Sequence, residues 1–247
     1  ADIAAIGREL ASALKKCPAD FIEAHLEESQ SSHVSYRGRR LESVDQTQSV
    51  GGNIRALVKG GWGFVSFNSL TELPGRVELA VKQASLVGRE KSCLAPVASA
   101  EDIVPLAADR NPLAIPLADK KKTLDEYLEI IWSIPRIQTS NINYSDGRKR
   151  TVYVNSSGSN IEQTRSDVTL RVTAIATKDG ETQQAGFSLG SRGNFEPIRG
   201  LHRQVKETAQ RAVDLLSAPQ VKGGEYTVVL DPVLAGVFVH EAFGHLS

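Results

Sequence analysis

The chain has no methionine, not even at its first position, and only two cysteines, Cys17 and Cys93. A chain of 247 residues without a starting methionine is expected not to be a raw translation product. Two cysteines make no disulfide framework, so a reducing cytoplasm is the default setting. Net charge is missing too: 29 basic residues balance 29 acidic ones. That removes the electrostatic footprint expected of a nucleic-acid binder. No apolar run approaches the length of a transmembrane helix and no signal peptide is visible, so no membrane partner is expected. What remains is long enough to bury a substantial core, as one large domain or two small ones.

Periodicity then places the elements. Ile3, Ile6, Leu10 and Leu14 recur at helical spacing, and Cys17-Pro18 closes that helix. Strands are expected at Phe21–Glu28, near Val34–Tyr36, from about Arg39 to Val50, at Ile54–Lys59 and at Trp62–Phe67, with Gly51-Gly52 and Gly60-Gly61 turning between them. Leu70–Val87 returns to helical spacing. Residues 91–119 carry Pro96, Pro105, Pro112 and Pro116 and read as a surface linker. A helix follows over Leu124–Ile134. Strands come next near 137–144, 150–155, 160–177 and 181–188, with turns at Asp146-Gly147, Ser157-Gly158 and Asp179-Gly180, then an amphipathic helix over 199–216. Runs of strands bracketed by helices argue α+β rather than alternating β-α-β. The expected fold is antiparallel sheets with packed helices in two helix-plus-meander blocks, ending in a strand and a motif helix.

That last helix carries the chemistry. His240-Glu241-Ala242-Phe243-Gly244-His245 holds two imidazoles and, beside the first, a carboxylate. In zinc hydrolases the histidines hold the metal and the glutamate takes a proton from water. The common pattern is H-E-x-x-H, with histidines at i and i+4; here the second is at i+5. On a regular α-helix, five steps of ~100° leave the two side chains ~140° apart. A π-type bulge, with i→i+5 bonding, would bring them together, and Gly244 is a natural place for the helix to loosen or end. Upstream, Tyr226–Leu230 reads as a buried strand, Asp231 as an N-cap and Pro232 as the first helical residue. This setting predicts a buried His240. The plain alternative is a pair of packed core histidines at a helix C-terminus.

Leu230–His245 resembles the active-site region of the TldD/PmbA metalloprotease family. Arg55-Ala56-Leu57 through Gly63–Asn68 is similar to that family's N-terminal hairpin, and Asn155–Gln163 to its central N-S-x-G turn. The resemblance runs along nearly the whole chain. It implies a zinc-dependent peptidase acting on unfolded or small peptides, with His240 and His245 as metal ligands and Glu241 as catalytic base. It also implies a homodimer or a heterodimer with a homologous subunit. The family's further ligand, a cysteine far downstream, has no counterpart here, since Cys17 and Cys93 lie elsewhere. The chain is therefore expected to be the N-terminal portion of a longer protein, inactive by itself: an α+β domain over 1–220 and, over 221–247, the truncated start of the catalytic region. A second reading, of another class, is a non-catalytic peptide-binding subunit of a heteromeric protease.

The other candidates carry bland expectations. Gly60-Gly61-Trp62-Gly63 lacks a following helix and reads as a hairpin rather than a phosphate cradle. Lys120-Lys121-Lys122 is expected on a solvated helix face, and Arg148-Lys149-Arg150 in an exposed loop. His25 has no partner at ligand spacing, His33 and His202 are expected at the surface, and nothing marks Cys93 as reactive. Arg39–Val50 and Asp167–Thr177 could offer a free edge to an extended peptide, although half-exposed sheet is the simpler reading.

Overall fold

The computed structural model describes residues 2–92 and 94–246; the expectation for Cys93 lies outside the described residues. Asp2 accepts a hydrogen bond from the Ala4 amide and starts α1 (Ile3–Leu14), whose stripe of Ile3, Leu10 and Leu14 is buried. β1 (Phe21–Arg37), β2 (Arg40–Val58) and β3 (Gly61–Phe67) follow as an antiparallel meander, then α2 (Leu73–Val87). The chain continues through β4 (Glu101–Val104), α3 (Leu117–Ser133), β5 (Ile137–Asn155), β6 (Asn160–Lys178), β7 (Glu181–Ser191) and α4 (His202–Asp214). The fold is α+β, but the two blocks share one seven-stranded sheet rather than owning one each. Its order is β3-β2-β1-β5-β6, with β4 and β7 both beside β6. β1 and β5 join the blocks, from Glu23↔Asn155 to Arg37↔Asn141.

The strands are longer than expected because several glycines lie inside strands rather than at turns. Gly51-Gly52 stays within β2. A Cβ on Gly51 would lie 2.5 Å from the Phe67 carbonyl oxygen, and one on Gly52 would lie 2.1 Å from that of His25, so close backbone approach is what excludes a side chain there. Asp146-Gly147 likewise lies inside β5, where Asp146 is buried. The expected loop at Arg148-Lys149-Arg150 is therefore strand. Arg150 pairs with Glu162 at 2.6 Å and with Asp2 at 3.0 Å, and Lys149 with Glu27 at 2.8 Å. The turns at Ser157-Gly158 and Asp179-Gly180 do form, and the one expected at Gly60-Gly61 lies one residue earlier, at Lys59-Gly60, with Gly61 opening β3; Gly60, Gly158 and Gly180 all have positive φ.

The core lies on one face. Ile22, Ala24, Leu26, Val34 and Tyr36 of β1 and Ile142, Tyr144, Val152 and Val154 of β5 are buried and share that face by the period of two. They belong to two clusters. One forms under α1 and α2, the other under α3 and α4. On the opposite face of β1, His25, Glu27, Ser29, Ser31 and His33 are partly to fully exposed.

Between the clusters runs a polar seam that corrects a second expectation. Residues 91–119 are not a plain linker: β4 pairs in parallel with β6, Pro112 is buried in a short 3₁₀ turn, and α3 begins at Leu117. Lys120 is fully buried instead of solvated. Its Nζ lies 2.5 Å from Asp146 Oδ2 and donates to Ser32 Oγ at 3.3 Å, while Tyr144 donates to the same carboxylate at 2.5 Å. The lysine interrupts the apolar pattern of α3, which is why that pattern shows the helix only from Leu124.

Residues up to Leu216 form one compact unit and those from Ser217 onward a second. Among the described residues, no helix is long and apolar enough to cross a membrane.

Candidate metal centre

The second unit is built around one short helix. Asp231 takes an extended backbone conformation, and its carboxylate accepts from the amides of Val233 and Leu234 at 2.8 and 2.9 Å. Pro232 fills the first helical position, where no amide is needed. α5 (Pro232–Val239) then passes directly into a π turn at His240–Gly244. This is the distortion that the i+5 spacing demands. Opposite sides of a regular helix become neighbours: the His240 and His245 rings meet edge to face with centroids 4.6 Å apart. Gly244 closes the turn without needing a positive φ, so its backbone freedom is not what makes the bulge.

His240, Glu241 and His245 each offer a ligand atom, all within 4.8 Å of one another. Nitrogens sharing a tetrahedral zinc sit roughly 3.3 Å apart at zinc–nitrogen distances of about 2.0–2.1 Å. The two imidazoles are therefore within small side-chain rotations of the spacing that a single ion would need. The Glu241 carboxylate stands 3.9 Å from His245 Nε2, near enough to reach a water held beside the histidines. Two imidazole nitrogens are borderline donors of the kind that suits zinc.

The surroundings differ from the expectation. His240, Glu241 and His245 are exposed, not buried. Tyr226–Leu230 is not a strand; Val229 is 98% exposed. A β-branched run becomes a strand by pairing its backbone, and no described residue pairs with this one.

The remaining candidates belong to the first unit. His25 stacks on Tyr153 with centroids 4.7 Å apart, and His202 lies 3.0 Å from Glu126. Cys17 is half-buried, and burial raises its thiol pKa. Sequence reasoning missed a polar cluster at the end of the sheet. Glu23 is buried there, held by Arg55 at 2.6 Å and by the Tyr153 hydroxyl at 2.9 Å, and Arg55 lies over the Trp62 ring. The only available signal was a glutamate within an otherwise apolar strand segment.

Comparison with known proteins places the chain. Residues 23–85 match a family model described as PmbA/TldA metallopeptidase domain 1, and residues 110–216 match the central domain of the same family. The metalloprotease slr0863 of Synechocystis is 40% identical over 233 residues, which is 93% of this chain and 50% of that protein. A zinc metalloprotease TldD homolog of Saccharolobus solfataricus is 23% identical over 202 residues, 80% of this chain and 43% of its own length. The chain thus spans about half the length of the relatives it matches. A Bacteroides thetaiotaomicron protein, solved as a candidate modulator of DNA gyrase, covers 100% of this chain and 58% of its own at a TM-score of 0.78 and 16% identity. TldE of Thermococcus kodakarensis covers 84% of this chain and 46% of its own, with a TM-score of 0.63 and 12% identity. These structures share the fold.

Proposed function

The chain belongs to the PmbA/TldD metallopeptidase family, and we propose that it carries part of the catalytic apparatus of a zinc-dependent peptidase acting on unfolded or small peptides. The observation that carries this reading is the π turn, which converges two histidines that the sequence spacing would otherwise keep apart. His240 and His245 would hold the ion through neutral imidazole nitrogens. When bound there, zinc supplies a Lewis acid that polarises a peptide carbonyl and acidifies water. Glu241 takes the proton from the attacking water and passes it to the departing amine. Its position next to His240 in sequence, on the same π turn, supports this role.

A catalytic zinc takes three protein ligands and keeps one position open. The π turn supplies two, so the third comes from outside it, and by themselves these 247 residues bind zinc weakly and cleave little. Zinc titration by calorimetry tests the ligands. His240→Ala and His245→Ala should each abolish the binding signal, whereas His25→Ala should leave it unchanged; equal zinc affinity in all three refutes the site. Full-length Glu241→Gln should keep its zinc and lose about 10²–10⁴-fold in kcat. Undiminished cleavage would remove Glu241 from the mechanism.

A further inference from the structure

The edge expected at Asp167–Thr177 is closed, since β6 is paired there with both β5 and β7. The sheet face opposite the core offers a different kind of site, at the end where β5, β1, β2 and β3 lie side by side. By the period of two, Asn155, Glu23 and Arg55 share one row of that face, and Phe21, Leu57 and Trp62 the next. Over Phe21, Leu57 and Asn155 lies a cavity of about 550 Å³, bounded on its far side by residues 94–98. Leu94 and Val97 line it yet stay 45% and 84% exposed, so apolar surface there is left uncovered. Arg55, the next residue on this face after Leu57, is held from two directions. Its Nε donates to Glu23 Oε1 at 2.8 Å, and its Nη2 lies 2.6 Å from the same oxygen. Glu23 is buried, and its other oxygen accepts from the Tyr153 hydroxyl at 2.9 Å. Burial raises the Tyr153 pKa, so that hydroxyl keeps its proton. The guanidinium also lies 4.5 Å over the Trp62 ring. A guanidinium has five N–H groups; three of these have no partner among the described residues, and the side chain is half exposed.

We propose that this end of the sheet binds the C-terminal residue of a short apolar peptide. Arg55 takes the terminal carboxylate through its free N–H groups, a charge-assisted contact for which a planar, pre-set fork is suited. The apolar side chain enters the cavity against Phe21, Leu57 and Leu94. Two residues along a strand span about 7 Å, so Leu57 lies from Arg55 at the reach of a leucine or phenylalanine side chain from its own carboxylate. Burying a carboxylate is costly; here the buried Glu23 serves to fix the fork. Asp20 and Lys91 also line the cavity and offset each other in charge, which leaves Arg55 as the anchor for an anion. Ser92 and Ser157 line it as well, and their hydroxyls have no partner among the described residues. They suit the amide groups of a peptide, which a plain fatty carboxylate lacks. All of these residues belong to the first unit, and binding here needs no metal, so the proposal stands or falls apart from the zinc reading.

The test is a titration of the whole chain with N-acetyl-leucyl-phenylalanine, a chelator being present throughout. The chain has two tryptophans, Trp62 and Trp132, and their indole N–H resonances report the site. That of Trp62 should move on binding and that of Trp132 should not. The C-terminal amide of the same peptide should bind at least about tenfold more weakly, since it cannot accept charge-assisted bonds. Octanoate, which has the carboxylate and an apolar chain but no amide, should also bind more weakly than the peptide. Arg55→Lys keeps a counter-charge for Glu23 but loses the fork, and should weaken binding about tenfold. Ala95→Phe, at an exposed residue that lines the cavity, leaves the Glu23–Arg55 pair intact and should abolish binding by filling the space. Arg165→Gln, at an exposed position of β6, should change nothing. The idea is overturned by a Trp62 resonance that stays still at millimolar peptide or by equal binding of acid and amide. Octanoate binding as tightly as the peptide overturns it too, as does unaltered binding in Arg55→Lys or in Ala95→Phe.

Discussion

Val172 and Val229 both sit in runs rich in β-branched residues, yet Val172 is fully buried in β6 and Val229, just before α5, is 98% exposed. The first has backbone partners on both sides, Ile142 and Phe187. The second has none among the described residues. Composition alone therefore does not make a strand; a neighbour must accept its hydrogen bonds. The same contrast runs through the charges. The sheet unit can bury a lysine because Asp146, Ser32 and Tyr144 surround it, while His240, Glu241 and His245 keep their polar groups open to solvent.

The contrast is tested most severely at Lys120. Lys120→Met leaves the Asp146 carboxylate buried without its counter-charge, and Asp146 Oδ1 already has no hydrogen-bond partner. Breaking such a pair costs about 3–5 kcal/mol, read as a fall in the urea midpoint. Adding Asp146→Leu should recover most of the loss, because the penalty lies in the orphaned charge. If the single variant is as stable as the parent, the polar seam does not help hold the two clusters together.

The valines give a milder comparison. Val172→Ala removes buried methyl groups and should cost about 2–3 kcal/mol. Val229→Ala should stay within about 0.5 kcal/mol. Equal losses in urea titration would mean that Val229 packs in solution.

How much was legible follows the same division. The helix stripes, the turns with positive-φ glycines and the α+β class were legible because each depends on neighbours in sequence. The i+5 spacing likewise predicts a π turn, and the structure has one. Gly51-Gly52 and Asp146-Gly147 were misread because a glycine needed for a turn and one needed for close backbone approach look alike locally. Lys120 was misread because its partner lies in a distant strand. The exposure of His240 was misread for the opposite reason: an apolar helix implies cover, and α5 leaves Val233, Val237 and Phe238 at least half exposed.

Two aspartates bring the comparison to its finest scale, since Asp2 and Asp231 cap α1 and α5 by the same chemistry. Removing such a cap costs about 1 kcal/mol. In α1 that loss is set against buried Ile3, Leu10 and Leu14, so Asp2→Ala should leave the helix formed. α5 has eight residues, none of them buried, and short unpacked helices are marginal in water. Asp231→Ala should therefore unravel it, seen as fast amide exchange over 233–239 and weaker zinc binding. If both helices persist equally, packing does not distinguish them.

Acid gives a smaller perturbation without a substitution. The Ala4 amide, and after it the Arg150 guanidinium, hold the Asp2 carboxyl below its usual value against the opposing effect of desolvation. A depressed folded-state pKa means that the stabilisation is complete above the unfolded value, about 3.9. It is lost as the pH falls through the folded one. Amide exchange at Ala4 should thus quicken, relative to its intrinsic rate, only below about pH 4, while Leu10 and Leu14 stay protected. Loss of protection along the whole of α1 in that window would mean that the cap, not the buried stripe, holds the helix, and the distinction between the two regions would fail at its smallest test.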